Sequence, residues 1–520
     1  MAKQKSIGHP YLKKEIVQLD LQLQKDKITL SQLEQYLAKA AWILKGPIGA
    51  SDFKAYIFPM LFFKRISDVY DEEYQLALAE SEGDEEYASL PEFHRFGIPT
   101  GCHWQDVRET TVNVGLALEK AFRGIEQANQ EYLYGIFGDA QWSNKNVLSD
   151  HLLLNLVEHF SQYNLANSNV DPDMLGQAYE YLIKHFADLT NKKAGEFYTP
   201  RSVVHLMGLI IDAHEGESIY DPACGTGGML LESINHLKEN GEDYRTLKLY
   251  GQEKNLTSSS IARMNMFLHG IEDFQISRGD TLRNPAFFEG DRLKAFDCVI
   301  ANPPFSLKGW GAENWVNDPY GRNIAGVPPE GNGDMAWVQH MIKSMRPNTG
   351  RMAVVLPHGA LFRKGAEGKI REALLQLDLL EAVIGLAPNI FYGTGLAACI
   401  MVFRSQKEEG KQKQVLFIDA SEQMRVGRAQ NYLEPAHVNQ IFAWYNDFQD
   451  VQNHAKVATL EEIAGNGYNL NIPLYIEKTA EDNLPTVEEA LDDLKQAWKE
   501  CLKAEEKFKA KLSNFGIKVC

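Results

Sequence analysis

The residues Asn302-Pro303-Pro304-Phe305 close an apolar run, Phe296-Asp297-Cys298-Val299-Ile300-Ala301, that reads as a strand. They place a side-chain amide, two rigid prolines and an aromatic face at a sheet edge. Neither proline nitrogen carries a hydrogen, so the carbonyls here can point outward without ladder partners. Such an edge can accept both hydrogens of an exocyclic amine while the ring stacks on a planar base. The amine of a base is a poor nucleophile because its lone pair is delocalised into the ring. Accepting its hydrogens frees that pair for attack on an activated methyl group, and helps most in the transition state, as the amine grows more acidic. The proton can leave to water afterwards, so no histidine base and no nucleophilic Ser or Cys is required. Read alone, the same four residues serve equally as a rigid turn with a packed aromatic.

A second group lies upstream. Asp221-Pro222-Ala223-Cys224-Gly225-Thr226-Gly227-Gly228 follows one strand and opens a helix. Its glycines let the backbone turn sharply and approach a ligand with no Cβ in the way. The spacing is not G-x-G-x-x-G, and no Lys-Ser/Thr follows to make a Walker loop. At the end of the next strand Glu253 is placed to accept from vicinal ribose hydroxyls. Asp280, after the third, could accept from an adenine amine. Each acid taken singly is an ordinary surface or capping carboxylate; at three successive strand ends the group describes an adenosyl ligand.

The elements that must carry these residues form an α/β pattern. Strands are expected at 218–223, 247–252, 275–279, 296–301, 351–356, 380–386, 397–403 and 415–418, with helices near 174–188, 229–239, 256–269, 335–345 and 367–376. Alternation of this kind implies a doubly wound, mostly parallel sheet, Rossmann-like, whose ligands bind beyond the strand C-termini. Residues 1–165 read as an all-helical N-terminal domain, with helical spacing over Leu30–Leu44, Ser51–Tyr70, Val112–Phe122 and Leu148–Phe160. Ser51 or Asp52 is the expected cap of the second helix, and the acidic stretch Asp71–Glu92 reads as a solvated linker. Residues 166–475 make the α/β domain, and 476–520 a helical tail. There Val487, Leu491, Leu494, Trp498, Cys501, Phe508 and Leu512 follow a heptad spacing broken at Glu505, which suits a fold-back helix or a coiled coil with a partner. Ser306–Asp334 holds six glycines, three prolines and two tryptophans with little periodicity. Beside Asn302 it is expected to be a mobile gate that orders on the substrate.

Composition narrows the class. The 520 residues, 44% of them hydrophobic, can fill two or three domains and an ordinary core. Six scattered cysteines without C-x-x-C or metal-like spacing read as reduced thiols, and no metal site is expected. With a polar, basic N-terminus and no long apolar stretch, a soluble cytoplasmic protein is expected. The net charge of −17 opposes a large phosphate-gripping surface. Either the cations cluster at one cleft or another subunit supplies much of the grip.

The order of glycine-rich loop and then Asn-Pro-Pro-Phe resembles the amino-methyltransferases that use S-adenosylmethionine. Glu196-Phe197-Tyr198-Thr199-Pro200-Arg201 resembles the segment that closes over the methionine end of the cofactor in adenine methyltransferases. Arg351–Leu361 and Asn389-Ile390-Phe391-Tyr392-Gly393-Thr394-Gly395 are similar to later motifs around the target-base pocket. Ala41-Trp42, Lys45-Gly46 and Lys54 to Phe63-Lys64-Arg65-Ile66-Ser67-Asp68 resemble the helical domain of one subgroup, the modification (M) subunits of type I restriction–modification systems. The resemblance spans about residues 30–475 and implies a DNA adenine-N6 methyltransferase. It also implies two M subunits assembled with one specificity (S) subunit, which reads the DNA, and recruitment of restriction (R) subunits. Asn302, Pro303, Pro304 and Phe305 would then be catalytic, and Glu196–Arg201, Asp221, Gly225–Gly228, Glu253 and Asp280 would hold S-adenosylmethionine. Methylation of RNA adenine or of a protein glutamine, or a non-catalytic assembly role, are the alternatives. A dehydrogenase would have no use for Asn302 or Phe305.

Overall fold

The computed structural model of the chain describes residues 28–49, 52–189, 199–391, 395, 397–428, 430–478 and 487–514, which divide after Ile476 into two units. The first unit begins with helices α1 (Leu30–Leu44), α2 (Lys54–Glu80), α3 (Val114–Ala128), α4 (Asp150–Phe160) and α5 (Pro172–Leu189). A capping box starts α1: Thr29 accepts the Gln32 N–H while the Gln32 side chain reaches back to the Thr29 N–H at 2.9 Å. Ser149 caps α4 through the Leu152 N–H.

In α2 the structure departs from the expected pattern. Phe53 occupies the cap position, not Asp52, and Ser51 lies outside the described residues. The helix also runs through Glu80, taking in the first half of the expected acidic linker. These acids serve distant backbone: Glu72 accepts the N–H groups of Asn167 and Ser168, each at 2.9 Å, and Glu73 that of Arg95 at 3.1 Å. A run of charges read as solvated is thus partly a set of acceptors. The Lys64-Arg65-Ile66-Ser67-Asp68 segment is a clamp of the same kind. Lys64 and Asp68 form a buried ion pair, Asp68 accepts the Leu165 N–H at 2.6 Å, and Arg65 donates to the Leu165 carbonyl.

The second half of the unit is built on β1 (Ser218–Asp221), β2 (Lys248–Glu253), β3 (Phe274–Arg278), a small hairpin of β4 (Phe288–Glu289) and β5 (Arg292–Leu293), β6 (Cys298–Ala301), β7 (Arg351–Pro357), β8 (Leu380–Leu386), β9 (Ala398–Arg404), β10 (Gln414–Ala420) and β11 (Ala455–Thr459). All but the hairpin form a nine-stranded sheet in the order β11-β10-β8-β9-β7-β6-β1-β2-β3. Pairing is parallel from β3 through β7 and between β8 and β10. It is antiparallel where β9 enters between β7 and β8, and where β11 closes the edge.

Helices cover both faces. Cys298, Ile300, Ala353 and Val355 point into one core with α6 (Arg201–Ile211), α7 (Gly228–Asn240) and α11 (Pro435–Asp447). Val299, Ala301, Met352, Val354 and Leu356 point into the other, with α9 (Asp334–Lys343) and α10 (Ala366–Gln376). This period-two alternation between two buried faces is why β6 and β7 read as unbroken apolar runs. Helix α8 (Leu256–Leu268) is shared: Met266 belongs to the first sheet core, while Ile261, Met264, Phe267 and Leu268 join the core of the N-terminal helices. Among the described residues no helix is long and apolar enough to cross a membrane.

Among its described residues the second unit holds one helix, α12 (Val487–Asn514), on which Leu491, Leu494, Trp498, Cys501 and Phe508 of the expected heptad row are exposed.

Candidate active site

Asn302 leaves β6 at the carboxyl edge of the sheet, one strand from β1. β6 pairs in parallel with β1 (Ile219↔Cys298, Tyr220↔Val299), so Asn302 and the Asp221–Gly228 loop leave the same edge of the sheet from neighbouring strands. The two groups singled out in the sequence therefore meet at one edge. The Asn302 amide nitrogen donates to Thr199 Oγ1 at 2.8 Å. Its Oδ1 is buried without a hydrogen-bond partner among the described residues. A buried carbonyl oxygen left unpaired costs about 1–3 kcal/mol, so an acceptor held this way is poised for a donor that arrives with a ligand. Pro303 is buried behind it, and the half-buried Phe305 ring lies edge-on to Phe391, with centroids 6.0 Å apart.

The glycine-rich loop is wired to β2 and α8. Cys224 N–H donates to the Gln252 carbonyl at 3.1 Å, and Asn265 Nδ2 to the Thr226 carbonyl at 3.1 Å. Gly225 and Gly227 take positive φ of 53° and 83°. Gly227 is required by its backbone, since φ 83° strains any L side chain; underneath it the loop rests on Ala262 and on the flexible end of Met266, which a Cβ would approach to 2.7 Å. Gly225 and Gly228 are different: a Cβ on either would meet nothing within 4 Å. The loop is thus tight underneath and open above. An open, glycine-lined face beside Glu253 fits an adenosyl ligand approached by backbone.

Glu253 Oε2 accepts the Gly225 N–H at 3.0 Å and Oε1 the Asn255 N–H at 2.7 Å. Both oxygens of this carboxylate accept, and each carries two lone pairs, the chemistry that vicinal hydroxyl donors require. Asp280 receives Lys254 Nζ at 2.9 Å, and Lys254 is largely exposed, so this pair is cheap to exchange for another donor. Asp221 is fully buried and accepts the Ala223 N–H at 3.0 Å. Burial pushes its carboxyl up to about 8; the Ala223 bond works against the rise and the charge of Glu253 adds to it. It shapes the loop from within.

Of the segment 196–201, Thr199 touches Asn302, and Arg201 pairs with Glu180 of α5. Glu196, Phe197 and Tyr198 lie outside the described residues, as do Tyr392, Gly393 and Thr394.

Several residues that hold the site carry no local sequence signal. Thr281 Oγ1 donates to the Pro222 carbonyl at 2.6 Å, tying the Asp280 turn to the glycine-rich loop. Gln252 braces the same turn through the Asn284 carbonyl and the Ala286 N–H. The segment after Phe305, expected to be a mobile gate, carries packing of its own. Trp310 and Trp315 are buried edge to face at 5.1 Å, and Trp310 Nε1 donates to the Pro329 carbonyl at 3.0 Å. Arg322 is buried between Trp315 and Tyr320, at 4.5 and 5.0 Å from their ring centroids. It pairs with Asp318 and donates to the carbonyls of Thr281 and Leu282. A buried cation and two indoles give the segment a small core of its own.

Comparison with known proteins bears on this geometry. A family described as N-6 DNA methylase matches residues 170–483, and one described as HsdM N-terminal domain matches 33–160. The chain is 33% identical to the type I restriction enzyme MjaVII methylase subunit of Methanocaldococcus jannaschii, over 86% of this chain and 78% of that one. It is 31% identical to the HindI methylase subunit of Haemophilus influenzae, over 75% and 93%. A type I restriction-modification methyltransferase subunit from Streptococcus thermophilus superposes with a TM-score of 0.75 at 31% identity, covering 86% of this chain and all of that one.

Proposed function

The chain belongs to the N-6 DNA methylase family, as a methylase subunit of the type I restriction-modification kind, and from that premise we propose that its carboxyl-edge pocket moves a methyl group from S-adenosylmethionine to N6 of an adenine flipped out of duplex DNA. The observation that carries this reading is Asn302 Oδ1, a buried acceptor with no partner among the described residues, one strand from the glycine-rich loop.

When bound, S-adenosylmethionine supplies an electrophilic sulfonium methyl group. The residues to hold it are Gly225, Thr226, Gly227 and Gly228 through backbone, Glu253 at the ribose hydroxyls and Asp280 at the adenine amine, with Asp221 fixing the loop. Glu196, Phe197, Tyr198, Thr199, Pro200 and Arg201 would close over its methionine end. Asn302 Oδ1 and the Pro303 carbonyl accept the two hydrogens of the target amine, and Pro304 stiffens the turn. Phe305 stacks on the base. Flipping costs a few kcal/mol, of which stacking returns about 1–3 kcal/mol. Labelled methyl from S-adenosylmethionine should appear as N6-methyladenine in DNA; label in RNA or in protein glutamine instead would overturn the reading.

As a subunit of a type I enzyme the chain works on DNA within a complex. Its expected assembly is two M subunits with one S subunit, to which R subunits can add, in the cytoplasm where the chromosome lies. An S subunit that reads the bases explains how a chain of net charge −17 serves DNA chemistry. We assign 1–165 as the helical domain, 166–475 as the catalytic domain and 476–520 as the partner-binding tail. The exposed apolar row of α12 suits a coiled-coil contact. Truncation from Asn483 is expected to abolish co-purification with the S subunit and to leave cofactor affinity intact. Unchanged assembly of the truncated chain would reject the assignment.

A further inference from the structure

Immediately after Phe305, Ser306 sits at φ 51°, in the left-handed region that side-chain-bearing residues seldom adopt. What holds it there comes from far along the chain. The Ser306 N–H donates to Asp334 Oδ1 at 2.7 Å, and Asp334, at the start of α9, is 1% exposed. The other oxygen of Asp334 receives Arg363 Nη1 at 2.7 Å. Arg363 also donates from Nη2 to Ser306 Oγ at 3.2 Å, and its Nη1 reaches Glu367 at 3.2 Å. Gly359, just past β7, clears the space the guanidinium fills, since a Cβ there would stand 2.7 Å from Arg363 Nε. A buried carboxylate, a bifurcating guanidinium and a glycine cut to admit it thus converge on one backbone amide. They bind the exit of β6 to the exit of β7 and to the start of α9.

We propose that Asp334, acting with Arg363, is a positioning residue for methyl transfer. It locks the backbone that follows Phe305 in its left-handed turn, so that the Asn302 and Pro303 acceptors and the Phe305 ring stay at fixed distances from the target base. The inference rests on the DNA-methylating reading above. It adds residues that reach the reaction only through Ser306. A carboxylate is required because two oxygens must each accept, one from a backbone N–H and one from a guanidinium. An asparagine offers a single acceptor and turns its NH2 toward one of those donors.

The test uses the M subunit assembled with its S subunit, tritiated S-adenosylmethionine, and DNA from a host free of adenine methylation. Asp334→Asn is expected to lower the initial rate at saturating substrates by about 10²-fold, the scale of a misplaced reacting group. Cofactor affinity should stay within about twofold, because the clamp faces the acceptor half of the site and not the adenosyl loop. Adding Ser306→Gly, which takes positive φ without help, should return about tenfold of the lost rate. A general packing defect would not respond to that glycine. Should Asp334→Asn fail to accumulate, Arg363→Lys, at the rim of the clamp, carries the same test with a loss of about tenfold. A wild-type rate in these variants overturns the proposal, as does a rate that falls in step with cofactor affinity and is not restored by Ser306→Gly. An unaltered enzyme that transfers no methyl group to DNA counts instead against the reading on which the clamp rests.

Discussion

Asn302→Ala is expected to lower kcat by about 10²–10³-fold, or ~3–4 kcal/mol, while S-adenosylmethionine binds as before. The size follows from oxyanion-hole donors, the mirror-image case: a fixed hydrogen-bonding group that meets charge as it develops, in a site from which water is excluded. The separation of rate from binding follows from the geometry. Asn302 Oδ1 has no partner among the described residues, and the glycine-rich loop that would cradle the adenosyl group is held by Gln252, Glu253 and Asn265. The amide's bond to Thr199 is one contact to a segment that Arg201 also anchors on Glu180. Asn302→Asp should fall between. A carboxylate still accepts from the amine, and the Thr199 hydroxyl can turn from acceptor to donor to keep it oriented. The expected order is Asn, Asp, Ala, read from initial rates of labelled methyl transfer beside a calorimetric titration of the cofactor. Turnover by the alanine variant at the wild-type rate would remove Asn302 from the chemistry.

What was legible in the chain was whatever is written contiguously. The sheet could be read because buried parallel strands are short apolar runs bounded by turn residues, and the site because Asn302–Phe305 and Asp221–Gly228 each sit whole at a strand end. β11 escaped because Ala-Lys-Val-Ala-Thr is half-exposed and pairs only at the antiparallel edge. Helix α6 escaped for a different reason. Its buried Val203, Val204, Ile210 and Ile211 are β-branched, a bias toward strand that masks the helical spacing they keep with Leu206 and Met207. Acids were misjudged by the same logic: Glu72 and Glu73 look solvated until the amides they accept from, some twenty to ninety-six residues away, are in view. The supports of the site are of this distant kind. Thr281 finds Pro222, and Asp334 finds Ser306, only once the sheet has assembled.

Arg322 is the most exacting case of such a support. Its ion pair with Asp318 is almost wholly buried, the two side chains being 3% and 1% exposed. Arg322→Met removes the cation and strands a carboxylate away from water, a change expected to cost about 3–5 kcal/mol of stability. It should also weaken S-adenosylmethionine, because the Thr281 and Leu282 carbonyls lose their donor directly beside Asp280. The two effects can be pulled apart. With Asp318→Leu added there is no stranded charge, and an apolar pair of similar volume is often neutral or stabilising relative to the ions it replaces. The double variant should therefore regain most of its resistance to denaturant. Its cofactor affinity should remain low, since neither methionine nor leucine can donate to those carbonyls. Denaturant midpoints and cofactor titrations of both variants decide it. If the double variant recovers affinity together with stability, Arg322 merely balances a charge; if stability returns alone, it also shapes the wall against which the adenosyl group lies.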